Sequence, residues 1–460
     1  MSLWGGPWTA LAGIVGLAAA LRLVGVRYGL PFPVLNPDEQ NIVPRAWRMV
    51  HGGGPDPGWF DYPSLLLYLL APFQTWSDEP SYLAARLVVV ALGLAGVAAA
   101  WWLGSRAYGR LAGGVAAVAV AVATVHVSYS RMAVTDIALA LGVTVALALL
   151  VDGRIELAGL AAGLAASAKY PGLILLVPLV AAARGRWRRL AIAAALAAVG
   201  FLAASPYVAV HAGEALGDAW RVQRLAHEGW LGFEDDSWAG FAFAGRLWDA
   251  LGPALIVAAA GLVFALAAAR RSRPDLVLAS FVLAYFASLL TVEAHFDRYV
   301  LPLVPPLAVL AGRLRTLAPV TLLLLVVPLT WSIRDARELT RTDTRVVAAR
   351  WIERNLPPDA TIAAEPSTLP LEGFRGVRLG LPGPGRPFDE NRSAARLRER
   401  GVGYVLVSGA VADRVRAARD EYPREAAFYD ELEVEGERAF FVGAGSDRSG
   451  PWVAVYHLRS

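Results

Sequence analysis

The chain has 460 residues, 56% of them hydrophobic, with a mean hydropathy of +0.46 and a formal net charge of +4. Soluble domains hold about 45–50% apolar residues, so the composition excludes an ordinary soluble enzyme and indicates a membrane protein. The absence of cysteine excludes disulfides and thiolate metal sites, and so small a charge balance gives no ground for a nucleic-acid partner.

A helix that spans a bilayer needs roughly 20 mostly apolar residues. Segments of this kind lie at 8–30, 81–103, 112–128, 134–151, 155–168, 171–184, 190–211, 247–269, 275–292, 299–312 and 316–333. They predict a mostly α, polytopic fold of about eleven transmembrane helices, with 155–168 and 299–312 short enough to be tilted or broken. The first segment has no basic stretch before it and no small-residue cleavage site after it. It reads as a retained helix, not a signal peptide.

Arginine placement predicts the orientation. The links at 105–110, 152–154, 184–189, 270–273 and 313–315 fall on one side if the helices alternate, and such an excess marks the cytoplasm. Arg22 and Arg27 oppose this scheme and are outweighed. The outer face then receives long loops at about 31–80 and 212–246, the turns near 125–135, 169–170 and 293–298, and the tail.

The tail changes character. Helices are expected over 343–355, 394–400 and 411–421, and strands over 361–364, 404–407, 440–442 and 453–456. Alternation of this kind predicts a small α/β domain. The chain therefore divides into a membrane domain, 1–333, and an extracytoplasmic domain, 334–460, with no Gly-rich phosphate loop in it.

The first loop opens with Asn36-Pro37-Asp38-Glu39-Gln40, two carboxylates where a membrane helix meets water. Ionisable groups there are costly and mark function. The same run also reads as a helix start, with Asn36 as N-cap, Pro37 at the first position and Glu39 closing a capping box. Similar pairs of readings apply elsewhere. Asp136 can serve a site or the dipole of its helix. Arg131 can bind an anion or snorkel to headgroups. Lys169 is the only lysine in the chain, set between apolar segments and followed by Tyr170-Pro171, which favours a site. Arg298, in His295-Phe296-Asp297-Arg298-Tyr299, can bind an anion or pair with Asp297 or Glu293. Glu234-Asp235-Asp236 reads as a solvated acidic loop. Tyr62, His126, Tyr170, His295 and Tyr299 are candidates to line a substrate site on the same face. Cations suit a phosphate that carries a lipid tail, and a carboxylate can activate a hydroxyl as general base. No histidine pair has zinc-site spacing.

Four motifs carry a family resemblance. They are Pro37-Asp38-Glu39 after the first helix, Ser130-Arg131-Met132-Ala133-Val134-Thr135-Asp136 opening the fourth, Ala168-Lys169-Tyr170-Pro171-Gly172 between two helices, and the run from Arg298 to Pro306 opening a late one. In this order the chain resembles the GT-C class of integral-membrane glycosyltransferases. It is most similar there to the protein O-mannosyltransferases and the bacterial aminoarabinose lipid A transferases. The tail run from Thr344 to Pro357 also resembles the extracytoplasmic segment of bacterial members, so the likeness covers the whole chain.

The resemblance implies a polyprenyl-phosphate sugar donor, a protein, glycan or lipid acceptor, inversion at the anomeric carbon, and action at the outer face of the cell membrane among its lipids. It makes Asp38 the general base or acceptor-orienting acid with Glu39 beside it, and Asp136 a further acid of the site. It gives Lys169, Arg298 and Arg131 the donor phosphate. Some members need a divalent cation such as Mg2+ or Mn2+, and Asp38 with Asp136 could hold one. Where aminoarabinose transferases place a lysine before the proline of the first loop, this chain has Tyr62, which weakens lipid A as acceptor. The alternatives are a transporter of lipid-linked sugar, which would place charges at the bilayer midplane, and a non-catalytic membrane subunit.

Overall fold

Helix Ile155–Ala168 shows how small residues build the bundle. Gly159 and Gly163 lie one turn apart, and a Cβ on either would collide with the carbonyl oxygens of Ala193 or Ala197 in helix Trp187–Ala204. Gly200 of that helix meets the Leu160 carbonyl in return. In lipid no hydrophobic force drives helices together, so close backbone approach at small residues supplies the packing. We expect Gly163→Leu to separate this pair and lower thermal stability by about 1–3 kcal/mol or more. An unchanged melting temperature would show that the contact contributes nothing.

The computed structural model describes residues 7–234, 236–369 and 373–459, so Asp235 lies outside the described residues. It forms two compact units. One comprises residues up to Val26 with Asp38–Arg224 and Trp238–Ala336, and the other Arg27–Pro37, Leu225–Ser237 and Arg337 onward.

The first unit is helical. Among the described residues, Tyr82–Tyr108, Trp187–Ala204 and Arg315–Glu338 are long and apolar enough to cross a membrane. Shorter apolar helices include Trp8–Leu23, Arg110–Val122, Asp136–Val151, Ile155–Ala168 and Tyr170–Ala183. The single span predicted at 247–269 is instead two helices, Ala239–Leu251 and Ala254–Ala268, bent by 116°. Gly252, at φ +58°, and Pro253 make the break, because proline has no N–H to continue the ladder. The segment predicted at 112–128 breaks at Ala123 into Arg110–Val122 and Thr124–Tyr129. The two expected loops contain helices as well: Glu39–Arg48 and Leu65–Leu70 in the first, Ala212–Glu228 in the second. Helix Ala212–Glu228 mixes charged and apolar residues, so a hydropathy window passes over it.

The second unit contains β1 (Thr342–Asp343), β2 (Thr361–Ala364), β3 (Arg375–Arg378), β4 (Tyr404–Ser408), β5 (Gly436–Val442), β6 (Arg448–Ser449) and β7 (Val453–Leu458). Five form one sheet in the order β3-β2-β4-β7-β5. Strands β2, β3 and β4 run parallel, whereas β7 is antiparallel to β4 and β5. β1 and β6 pair separately. Strand β4 is central, and its middle residues Val405, Leu406 and Val407 are all apolar because both its faces are covered. Val405 and Val407 pack against Leu397, Val411, Phe428 and Leu432, while Leu406 faces Ala348, Ile352 and Val455. Ser393 and Ser408 cap the helices that follow them. Buried Glu365 ties this unit together, accepting from Arg392 Nη1 at 2.9 Å, from the Ser408 amide at 2.9 Å and from the Tyr429 hydroxyl. The earlier segments join it through Arg345 Nη2, which donates to the Val34 carbonyl at 3.0 Å, and Tyr422, which donates to Glu234 at 2.8 Å.

Candidate active site

Adjacent in sequence, Asp38 and Glu39 point to different surroundings. Helix Glu39–Arg48 starts with Asp38 in the cap position, and no side chain caps it. Asp38, and not Asn36 as the sequence predicts, therefore takes the cap position, and both carboxylates have other partners. Glu39 is fully buried and receives Arg86 in a two-pronged pair, Nε to Oε1 at 2.8 Å and Nη2 to Oε2 at 2.7 Å. Its Oε1 also accepts the Ala133 amide at 2.9 Å, and Arg86 Nη1 donates to the Val26 carbonyl at 2.9 Å. Glu39 thus joins the helix Tyr82–Tyr108 to the turn before Asp136. Asp38 remains 22% exposed. Its Oδ2 accepts from the Tyr62 hydroxyl at 3.0 Å and from Arg298 Nη1 at 3.0 Å.

Asp136 opens helix Asp136–Val151 and accepts from Lys169 Nζ at 2.7 Å. Lys169 follows the last turn of Ile155–Ala168, with its ammonium 5.4 Å from the Tyr62 ring centre and 5.3 Å from that of Tyr299. The ammonium lies within electrostatic reach of Asp38 and Arg298 as well as Asp136. Arg298 stands 5.9 Å from the centre of the Tyr299 ring and 4.9 Å from that of Phe296, and its buried Nε has no hydrogen-bond partner among the described residues. Its backbone amide donates to Asp297, which also takes the Tyr129 hydroxyl at 2.7 Å. Two carboxylates, two cations and two tyrosines thus converge from five separate segments. An ammonium has three donors and a guanidinium five, more than these contacts use.

The segment before Tyr62 is pinned on several sides. The Phe60 amide donates to Asp218 at 3.2 Å, and its carbonyl accepts from the Tyr170 hydroxyl at 3.0 Å. Arg221 bonds both Asp61 and Asp218, and His211 meets Asp56 at 2.8 Å. These links fix the ring of Tyr62 over Lys169 and its hydroxyl on Asp38. Burial, then the nearby Asp38 charge, push the Tyr62 phenol well above its ordinary value, so it stays protonated and donates. A hydrogen bond to a charged group contributes about 1.5–3 kcal/mol. We expect Tyr62→Phe to cost up to about 1.5–3 kcal/mol of stability, read as a lower melting temperature, and to slow turnover about tenfold or more. An unaltered rate would remove Tyr62 from the site.

The other residues singled out in the sequence are held by contacts of their own. Arg131 is fully buried, donating to Asp335 at 2.7 Å and to the Leu21 carbonyl at 2.9 Å. His126 is buried against Arg22 Nη2 at 2.9 Å. Arg22 itself donates to the carbonyls of Ala18, Val120 and Ala121, so its charge is held inside the bundle. His295 packs edge-on to Phe243, and its carbonyl accepts from Arg246. Tyr170 holds the backbone at Phe60. Sequence reading missed Arg86 and Arg221. Arg86 had a signal: an arginine a few residues into an apolar span requires a buried acid.

The donor set does not suit a resident divalent cation. Among the described residues no three histidine or carboxylate groups converge. Asp38 and Asp136 each already face a cation, at 3.0 and 2.7 Å. A divalent ion there would lie beside a guanidinium and an ammonium that repel it.

Comparison with solved structures finds the same fold. The aminoarabinose transferase ArnT from Cupriavidus metallidurans in the apo state superposes with a TM-score of 0.60 at 17% identity, over 97% of this chain and 97% of that one. The same enzyme bound to undecaprenyl phosphate gives 0.58 at 17%, over 97% and 98%. The apo oligosaccharyltransferase of Archaeoglobus fulgidus gives 0.58 at 13%, over 92% of this chain and 71% of that one. The fold is that of the GT-C membrane enzymes. A search of the curated proteins gave no match to the sequence. The profile of glycosyltransferase family 87 matches residues 59–292, just over half of the chain. That stretch includes Tyr62, Asp136 and Lys169, while Asp38 and Arg298 flank it.

Proposed function

The chain belongs to glycosyltransferase family 87, and from that premise we propose that it transfers a sugar from a polyprenyl-phosphate donor to a hydroxyl of a protein, glycan or lipid at the outer face of the cell membrane. One observation carries the reading: a partly exposed carboxylate, Asp38, lies 3.0 Å from Arg298 and within electrostatic reach of Lys169, two cations with donors to spare. Cations of this kind suit a phosphate. Family membership and the fold support the reading further, as do the lipid phosphates in the relatives: undecaprenyl phosphate in ArnT and dolichol-phosphate in the archaeal enzyme AglB.

In this reaction Asp38 takes the proton of the acceptor hydroxyl. The acceptor oxygen attacks the anomeric carbon from the side opposite the phosphate, and the bond from that carbon to the phosphate oxygen breaks. The leaving polyprenyl phosphate keeps the electron pair, and Lys169 and Arg298 offset its growing charge. A single displacement inverts the anomeric centre. Asp136 acts by orienting Lys169. The apolar helices cross the bilayer about eleven times, as the hydropathy pattern predicts, which leaves the α/β unit extracytoplasmic.

The test is turnover in proteoliposomes with a panel of polyprenyl-phosphate sugars and candidate acceptors, followed by release of polyprenyl phosphate. Movement of intact donor across the bilayer without release would mean a transporter. Because the donor set disfavours a resident metal, EDTA should leave the rate unchanged in the same assay. A rate that falls with EDTA and returns with Mg2+ or Mn2+ would put a cation back in the site.

A further inference from the structure

A second cationic cluster lies at the other end of helix Ile155–Ala168, far from Lys169. At 1.5 Å per residue, Glu156 and Lys169 are about 20 Å apart along it. The link Arg184-Gly185-Arg186-Trp187-Arg188-Arg189 reaches this end, as does Arg273 at the start of helix Arg273–Leu289. Arg189 is held there, with Nε and Nη2 on Glu156 at 2.5 and 2.6 Å and Nη2 on the Gly153 carbonyl at 3.1 Å. Arg273 comes to the same glycine, its Nη1 2.6 Å from where a Cβ on Gly153 would sit. Its Nη2 makes one long bond, 3.4 Å, to the Ala182 carbonyl, and its Nε is buried without a partner among the described residues.

The charges of Arg186, Arg189 and Arg184 all act on Arg273. The acids at this end are already taken, Glu156 by Arg189, Asp152 by Arg106 and Asp275 by Arg313. Among the described residues no carboxylate lies within 4.0 Å of Arg184, Arg186, Arg188 or Arg273. Like charges gathered without counter-ions are unfavourable unless an anion completes them. Two features say what kind of anion. Trp187 is 69% exposed, with the Arg188 guanidinium 5.4 Å from the centre of its ring, the arrangement of an aromatic at the headgroup level. The helix that Trp187 opens, Trp187–Ala204, is apolar and largely uncovered by protein, with Ile192 and Val199 exposed on it. Cations at the mouth of a lipid-facing helix suit a ligand with a phosphate at one end and hydrocarbon at the other.

We propose that Arg186, Arg189 and Arg273 form a binding site for the phosphate of an anionic phospholipid, with its acyl chains along helix Trp187–Ala204. The seat is separate from the one at Lys169 and Arg298 and does not depend on the reaction. Guanidinium groups match phosphate oxygens in pairs, and basic pockets between membrane helices hold anionic headgroups. A zwitterionic lipid brings its own cation into the cluster and binds less well.

The experiment uses the full chain in detergent, with bound lipid counted by native mass spectrometry and thermal stability followed in parallel. The probes are phosphatidylglycerol, phosphatidylcholine and inorganic phosphate. Phosphatidylglycerol should stay bound where phosphatidylcholine does not, raise the melting temperature, and weaken in high salt. Arg186→Gln, at an exposed position, should reduce retention several-fold, and Arg186→Gln with Arg273→Gln should reduce it about tenfold or more. Equal retention of the two lipids by the wild type would overturn the site, whatever the variants do. So would equal stabilisation by inorganic phosphate alone, which would mean a site for a free anion. Unchanged retention in the double variant would place the lipid elsewhere.

Discussion

Asp38→Asn is expected to lower transfer about 10²–10⁴-fold while leaving the protein folded and able to hold polyprenyl phosphate. The amide matches the carboxylate in shape and keeps an oxygen for Tyr62 and Arg298, which lie 3.0 Å from Oδ2. It cannot take a proton from the acceptor. The loss should fall on kcat, because the donor phosphate is assigned to Lys169 and Arg298. Single-turnover sugar transfer, with lipid-phosphate binding measured on the same sample, separates the two effects. Full activity in Asp38→Asn would refute a base in the first loop. Lost binding at normal folding would instead make Asp38 part of the donor seat.

The second large effect concerns stability. Arg86→Met should destabilise the protein by about 3–5 kcal/mol, because it leaves the Glu39 carboxylate buried without its counter-charge. Glu39 would keep the Ala133 amide, which alone does not offset an isolated charge. Glu39→Gln combined with Arg86→Met should be milder than Arg86→Met alone, since breaking a buried pair costs more than replacing it. Recovery after size exclusion and the melting temperature measure both. If the double variant were the less stable, the pair would matter through its packing and not its charge.

Much of the helical framework was legible because apolar runs such as 81–103 and 155–168 carry their own signal. The breaks at Ala123 and at Gly252-Pro253 were harder, since one residue interrupts a run that stays apolar on both sides. Strands β4 and β7 were legible as runs of valine, leucine and alanine. The edge strand β3 was not, because Arg375-Gly376-Val377-Arg378 has one apolar residue and little buried surface. Helix Pro423–Glu435 was also missed, its buried Ala426, Phe428, Tyr429 and Leu432 scattered among acids. At the site, Lys169 stood out as the lone lysine, and the structure places it with Asp136, Tyr62 and Tyr299. Nothing in the local sequence set Asp38 apart from Glu39. One faces the cations and the other is locked to Arg86, a difference that only the long-range packing of helix Tyr82–Tyr108 creates.

The bond between Asp38 and Arg298 joins residues 260 positions apart. A ribosome that adds about 5–20 residues per second needs on the order of tens of seconds to pass from one to the other. During that interval the nascent chain already carries the carboxylate, and later Lys169, but lacks the guanidinium that faces them. The pair therefore forms only after most of the helical unit has been made. Any chain cut short before Arg298 leaves Asp38 without this partner, which only a separately made fragment could supply.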